Sequence, residues 1–386
     1  MKTKLFSILA ASALAFASCT DNDTPAPTPP KDAELSGDIT KDMTLDANVT
    51  YTMSKAVFVK SGATLTIPAG TVIKAADSGT SIFLLVEKGG KIMADGTAAK
   101  PIVFTSASAT PKSGDWGGVL INGSAPLSHE AGKTSDWGTE ISSNIRYGGE
   151  TANDNSGVLN YVKIEYTGAR IDGAKEHNGL TLNGVGNGTK ISNIYLNHGA
   201  DDAIEFFGGS VNASNILVVN ADDDMFDFTQ GYNGTLTNVY GIREANYQTV
   251  TSDPRGIEAD GNLDGKNENY VNQSNFTING ITIINNAADI NGSKVTQMMT
   301  EVMKIRRKAK ATITNAYIKF GGAAVPTAFI DMDDAGDASS SITYTVDPAN
   351  GLDKIANKNK VGATLKAEAG NKGADVSAFT WTGYKF

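Results

Sequence analysis

From Asn178 to Tyr240 the apolar and polar positions fall into a repeating unit. In NGLTLNGVGNGTKISNIYLNHGADDAIEFFGGSVNASNILVVNADDDMFDFTQGYNGTLTNVY a Gly-rich or acidic turn leads into a short apolar strand. A second turn and an apolar-Ser/Thr-Asn step then open another strand. Leu180, Ile204 and Phe226 share one column and Ile191, Ala213 and Leu236 the next, at spacings of 22 to 24 residues. Helical 3.6-residue periodicity is nearly absent, and apolar residues alternate with polar ones inside each strand. A coil of about 22 residues with three short strands, stacked at about 4.8 Å per coil, buries a core that no single repeat buries alone. The pattern predicts an all-β chain wound as a parallel β-helix.

The same strand-and-turn grammar begins at Val57 (VFV, TLTI, TVIKA), continues through 82–93 and 101–104, and breaks in three places. Residues 105–157 form a Gly-, Ser- and Asn-rich excursion with one clear strand at Val119–Ile121. Longer gaps near 243–255 and 262–300 predict protruding loops. After about Ser340 the repeat fades, so 341–386 is expected to cap the last coil, with Trp381 packed, because an open β-helix end is an exposed sheet edge. The predicted division is 1–18 signal segment, 19–34 tether, 35–340 β-helix and 341–386 cap.

One strand type carries a fixed corner: Leu159-Asn160-Tyr161-Val162, Ile191-Ser192-Asn193-Ile194, Ala213-Ser214-Asn215-Ile216, Leu236-Thr237-Asn238-Val239, Ile278-Asn279-Gly280-Ile281 and Ile313-Thr314-Asn315-Ala316. Asn and Gly suit the second corner position because both tolerate the left-handed backbone region. Stacked Asn193, Asn215 and Asn238 are placed to bond to one another up the axis. These corners resemble the Asn ladder of the pectate-lyase-like superfamily, which implies a right-handed parallel β-helix. The ordered run GDWGGVLINGSAP, NSGVLNYVKIEYTG, NGLTLNGVGNGT, DDAIEFFGGSVN, DDDMFDFTQGYNG and RGIEADGN is similar to a family of Bacteroidota surface lipoproteins of this fold, over roughly residues 50–330. That resemblance implies a fold and a location and no established reaction.

The first residues fit such a location. Lys2 and Lys4 precede LFSILAASALAFAS, an apolar run of signal-peptide length that is too short to span a bilayer. Phe16-Ala17-Ser18-Cys19 resembles the lipobox of bacterial lipoproteins, with Phe16 where Leu is usual. The resemblance implies that Cys19 is acylated, palmitate included, and becomes the mature N-terminus. Cys19 is the only cysteine, which excludes a disulfide within the chain and a thiolate metal site. TDNDTPAPTPPKD behind it is a Pro-rich, extended tether. Asp21 and Asp23 resemble the acidic signal that exports Bacteroidota lipoproteins to the outer face of the outer membrane. Removing residues 1–18 takes away two lysines and no acid, moving the formal charge from −9 to −11. That argues against nucleic acid or anionic lipid as a partner of the folded part.

Candidate chemistry is acidic. Glu205, Asp227 and Glu258 each follow an inward residue (Ile204, Phe226, Ile257) and so point outward. The preceding turns add Asp201 and Asp202, then Asp222, Asp223 and Asp224, then Asp253, while Asp260 follows. Like charges about 5 Å apart repel by about 3 kcal/mol at an effective dielectric of 20 and by under about 1 in open water. Three roles stay open: solvated corners bonded to their own backbone, ligands for a hard cation such as Ca²⁺, or catalytic carboxylates. Arg243, Arg255 and Lys304 are alternative counter-charges. The catalytic candidates are Asp202, Asp224, His198 and Arg243. DMDDAGD at 331–337 lacks the twelfth-position Glu of an EF-hand loop. For ligand stacking the candidates are Trp116, Trp137 and a column containing Tyr195, Tyr240 and Tyr317.

These features lead to the expectation of an outer-membrane, surface-exposed lipoprotein that binds an extracellular glycan or partner receptor without catalysis. The alternative is a lyase or hydrolase of acidic polysaccharide.

Overall fold

The structure is a computed structural model that describes residues 32–171, 176–287, 299–321, 326–347 and 355–386. The expected signal segment, Cys19 and the tether up to residue 31 lie outside the described residues. Among the described residues no helix is long and apolar enough to cross a membrane.

The chain is a parallel β-helix. Its coils build two sheets, and strands one coil apart pair in parallel. The first sheet has ten strands, among them Val119–Asn122, Leu180–Asn183, Ile204–Phe207, Phe226–Thr229, Ile257–Asp260, Glu301–Arg306 and Ala328–Asp331. The second has fifteen and includes Gly157–Glu165, Lys190–Gly199, Ala213–Ala221, Thr235–Arg243, Asn275–Asn285 and Lys310–Phe320. The columns expected from the repeat are in register: Leu180 pairs Ile204, Phe226 pairs Ile257, and Ile257 pairs Met303. Ile191, Ala213, Leu236, Ile278 and Ile313 form the second column. Their side chains fill one core with a run of stacked rings, Phe206 on Phe228 at 5.2 Å and Phe228 on Phe276 at 4.2 Å between centroids.

The corners explain why the second-sheet strands bend without breaking. Tyr161, Asn193, Asn215, Asn238, Asn315 and Gly280 all have positive φ, between 50° and 79°. Asn accepts this region because its short amide bonds locally, and stacking gives that amide a partner. Asn193 Nδ2 donates to Asn160 Oδ1 at 2.8 Å, Asn215 to Asn193 at 3.0 Å and Asn238 to Asn215 at 2.8 Å.

The interruptions resolve differently from one another. Within 105–157, Val119–Asn122 stays in the first sheet, and an antiparallel hairpin, Trp137–Thr139 with Ser142–Tyr147, stands over the neighbouring strands. The 262–300 gap is not one loop: Asn275–Asn285 continues the second sheet, and 288–298 lies outside the described residues. The second sheet also runs past residue 340, with Ser341–Val346 and Thr364–Ala367 as its last strands. From Gly373 the chain turns back along the outside of the second sheet. Phe379 is fully buried there among Tyr195, Leu217, Val219, Tyr240 and Ile242, and Trp381 packs edge-on against Tyr161 at 5.3 Å.

Candidate functional site

Alternation in the first sheet turns every second residue outward, and parallel register stacks those residues into a column: Thr181, Glu205, Asp227, Glu258, Lys304 and Asp331. Past Glu258 the column is neutralised. Glu258 is held by Arg255 at 2.9 Å and by Arg306. Asp260 is held by Arg306 at 3.0 Å and Arg307 at 3.3 Å. Lys304 reaches Asp331 at 2.8 Å, and Lys358 reaches Glu301 at 2.8 Å and Asp331 at 3.1 Å. The 331–337 segment therefore spends its first carboxylate on lysines, and Asp333 accepts from the backbone of Lys360.

Before Glu258 the balance changes. Glu205 and Asp227 join the turn residues Asp201, Asp202, Asp223 and Asp224 around a cavity of about 270 Å³, closed on one side by Glu258. Glu140, Glu176, Arg170 and Thr251, all from loops, complete the wall. No lysine or arginine is within ion-pair distance of Asp202, Glu205, Asp223, Asp224 or Asp227 among the described residues. Some of their oxygens are satisfied: Asp202 Oδ1 accepts from the Asp224 N–H at 2.8 Å, and Glu205 accepts from the Asn178 amide. The buried Oδ1 atoms of Asp223, Asp224 and Asp227 have no hydrogen-bond partner, and Asp224 is only 2% exposed. Burial, reinforced by neighbouring carboxylates, pushes Asp201, Asp202, Glu205, Asp224 and Asp227 well above the ordinary carboxyl range and Asp223 up to about 6. Two trios have ligand oxygens within 4.8 Å of one another, Asp202 with Glu205 and Asp227, and Asp202 with Asp223 and Asp224. An array of hard carboxylate oxygens without nitrogen or sulfur donors suits Ca²⁺ or a similar cation.

Asp253 and Asp260 do not line the cavity, and neither does Asp222. Its carboxylate takes Arg170 and the backbone N–H groups of Val250 (2.7 Å) and Thr251 (3.2 Å), fastening two wall loops together. The catalytic candidates divide. Asp202 and Asp224 converge, whereas His198 and Arg243 do not reach the cavity. His198 sits at a corner of the second sheet with φ 57°, its ring between Tyr166 and Tyr247 and bonded to Asn197 at 2.7 Å. Arg243 is buried against backbone, its Nε donating to the Ala221 carbonyl at 3.1 Å and another guanidinium N–H to the Asp223 carbonyl.

The aromatic candidates divide as well. Trp116 is a core plug with its indole N–H on the Glu165 carbonyl at 2.8 Å. Tyr195 and Tyr240 do form the expected outward column, but the returning tail covers them: Phe379 lies 6.3 Å and Phe386 5.1 Å from the Tyr240 ring. Tyr317 is half-buried in the same column. Trp137, on the inserted hairpin, is 38% exposed. It borders a second cavity of about 590 Å³ with Arg146, Tyr147, Phe207 and Leu263. Glu140 lines both cavities, so the acidic and aromatic halves adjoin along the first sheet. The sequence marked the aspartates and Trp137; Glu140, Glu176, Arg170 and Asn178 carried no periodic signal.

Stacked parallel coils define a β-helix of the solenoid class. The chain matches the family described as pectate-lyase like β-helix domain over residues 37–382, and it belongs to that family. Among solved structures it is similar to the enzymatically active domain of bacteriophage CBA120 tailspike protein 2 at 12% identity and a TM-score of 0.33. That match covers 81% of this chain and 47% of the tailspike chain, so this chain spans about half the length of that structure. No curated protein matches the sequence.

Proposed function

We propose that this chain is an outer-membrane lipoprotein of the Bacteroidota type, anchored through acylated Cys19 and exposed at the cell surface, that binds an extracellular glycan with the help of a divalent cation, Ca²⁺ foremost. The observation that carries the binding half is the acidic cavity with its unpartnered buried oxygens, adjoining a groove edged by the exposed Trp137. A bound cation neutralises the carboxylates and offers open positions to hydroxyl or carboxylate oxygens of a sugar. An exposed indole provides a flat apolar face for a pyranose ring. The lipobox-like Cys19 and the Pro-rich tether support the location. The reading as a lyase or hydrolase retains Asp202 and Asp224 but loses His198 and Arg243, which do not line the cavity.

The test is a screen of neutral and acidic polysaccharides on the immobilised whole protein, in Ca²⁺ and in chelator, with Trp137→Ala alongside. The expected result is retention of a glycan in Ca²⁺, weakened at least tenfold by chelator or by the substitution. Glycan retention indifferent to both, or retention only of an outer-membrane receptor, refutes the binding mode. Fatty-acid labelling of cells that is insensitive to Cys19→Ala refutes the anchor.

A further inference from the structure

Resting on the cation reading above, the geometry points to two divalent cations in the acidic cavity, sharing Asp202 between them. The first trio, Asp202, Glu205 and Asp227, is built on strands: Glu205 and Asp227 are register partners on adjacent coils. The second, Asp202, Asp223 and Asp224, is built on the turns that precede those strands. Asp202 stands at the junction because its turn is the preceding coil's counterpart of the Asp222–Asp224 turn, tied to it by the Asp224 N–H. In each trio the oxygens lie within 4.8 Å of one another, about twice a typical Ca²⁺–oxygen distance of roughly 2.4 Å. One ion therefore spans one trio, and each trio carries its own buried oxygen without a partner: Asp227 Oδ1 in the first, Asp223 Oδ1 and Asp224 Oδ1 in the second.

Charge points the same way. The five carboxylates of the two trios and Asp201 beside them share this space with no ion-pair partner among the described residues. One divalent ion leaves four of these six negative charges uncompensated, whereas two leave two, facing Arg170 on the wall. Space permits it, since about 270 Å³ equals roughly nine liquid-water volumes of about 30 Å³, enough for two ions and several water ligands.

The experiment is metal analysis after equilibrium dialysis of the whole, chelator-stripped protein against Ca²⁺, with calorimetric titration of the same samples. Two Ca²⁺ per chain are expected. Glu205→Gln and Asp223→Asn should each retain one ion, and Asp202→Asn should weaken both at least tenfold. Circular dichroism and unfolding in chelator verify that each carboxamide variant is folded, and the wild-type stoichiometry stands as a test without any variant. One ion in the wild type, lost alike in Glu205→Gln and Asp223→Asn, overturns the paired arrangement and leaves the single-cation reading standing. No bound Ca²⁺ in the wild type overturns both.

Discussion

Replacing Asp224 by Asn should stabilise this protein in chelator and weaken its response to Ca²⁺. The Asp224 carboxylate lies within 4.8 Å of both Asp202 and Asp223. Each such pair, fully charged, repels by about 3.5 kcal/mol at an effective dielectric of 20, or about 7 kcal/mol for the two. The folded chain escapes part of this by keeping protons. Protonation limits the repulsion that survives at pH 7 to on the order of one such pair, about 3 kcal/mol. Removing one charge with an isosteric amide should therefore stabilise the cation-free protein by about 1–3 kcal/mol. At about 2.1 cal/mol/K per residue, the roughly 330 described residues carry an unfolding entropy near 0.7 kcal/mol/K, so Tm rises by roughly 1.5–4 °C. Ca²⁺ at a hundredfold over its Kd stabilises the wild type by about 2.7 kcal/mol, or roughly 4 °C. The variant, one ligand short, should gain much less, so the order of the two Tm values reverses or closes between chelator and Ca²⁺. Scanning calorimetry in both buffers reads this directly. A lower Tm for Asp224→Asn in chelator refutes the reasoning, since it means the carboxylate is a bonded part of the corner and not a repelled charge.

The raised carboxyls also set a pH dependence. Because Asp223 binds its proton more tightly folded than unfolded, its contribution is present below pH 4 and is lost as pH rises through about 6. In chelator the Tm of the wild type should fall across that window relative to Asp223→Asn, and parallel curves would contradict it. Phe379→Ala should cost about 3–5 kcal/mol by emptying a fully buried site under the tail and should open Tyr195 and Tyr240 to nitration; unchanged tyrosine reactivity would mean the tail does not hold this cover. Asn215, at φ 55° between two ladder bonds, should lose about 2–4 kcal/mol as Ala, which forfeits the bonds and strains the backbone. Asn215→Gly should be milder by about 1 kcal/mol in urea unfolding, and equal losses would remove backbone strain from the account.

Alternation and a near-constant period carry register, so the stacking of Leu180, Ile204, Phe226 and Ile257 and the outward aim of Glu205, Asp227 and Glu258 were legible before any coordinates. Alternation says which way a side chain leaves the sheet and nothing of what lies beyond it. That is why the column of Tyr195 and Tyr240 stood as a candidate for ligand stacking although residues more than 130 positions later cover it. Glu140 and Arg170 enter the cavity from loops, where no period constrains direction. His198 itself has a left-handed backbone, and the change of direction there defeats any count from neighbouring strands. Arg243 closes a second-sheet strand and turns onto the carbonyls of the preceding coil, a choice set by backbone acceptors that the sequence does not display.

The returning tail changes how such a stack fails. In a solenoid each coil touches only its neighbours, so coils fray one at a time from an end. Here Lys163 bonds the Thr382 carbonyl at 2.7 Å, Asn238 and Thr282 accept from the backbone of Asp375 and Ala374, and Asn315 accepts from Lys372 and Gly373. Residues 372–382 thus run as a splint across six consecutive second-sheet strands, from the one holding Lys163 to the one holding Asn315. To peel off the coil at either end of that span, the splint must first lift, which exposes Phe379 and frees every coil beneath it. The middle of the molecule, which bears the acidic cavity, should therefore melt as a block, leaving fraying to the coils beyond the splint.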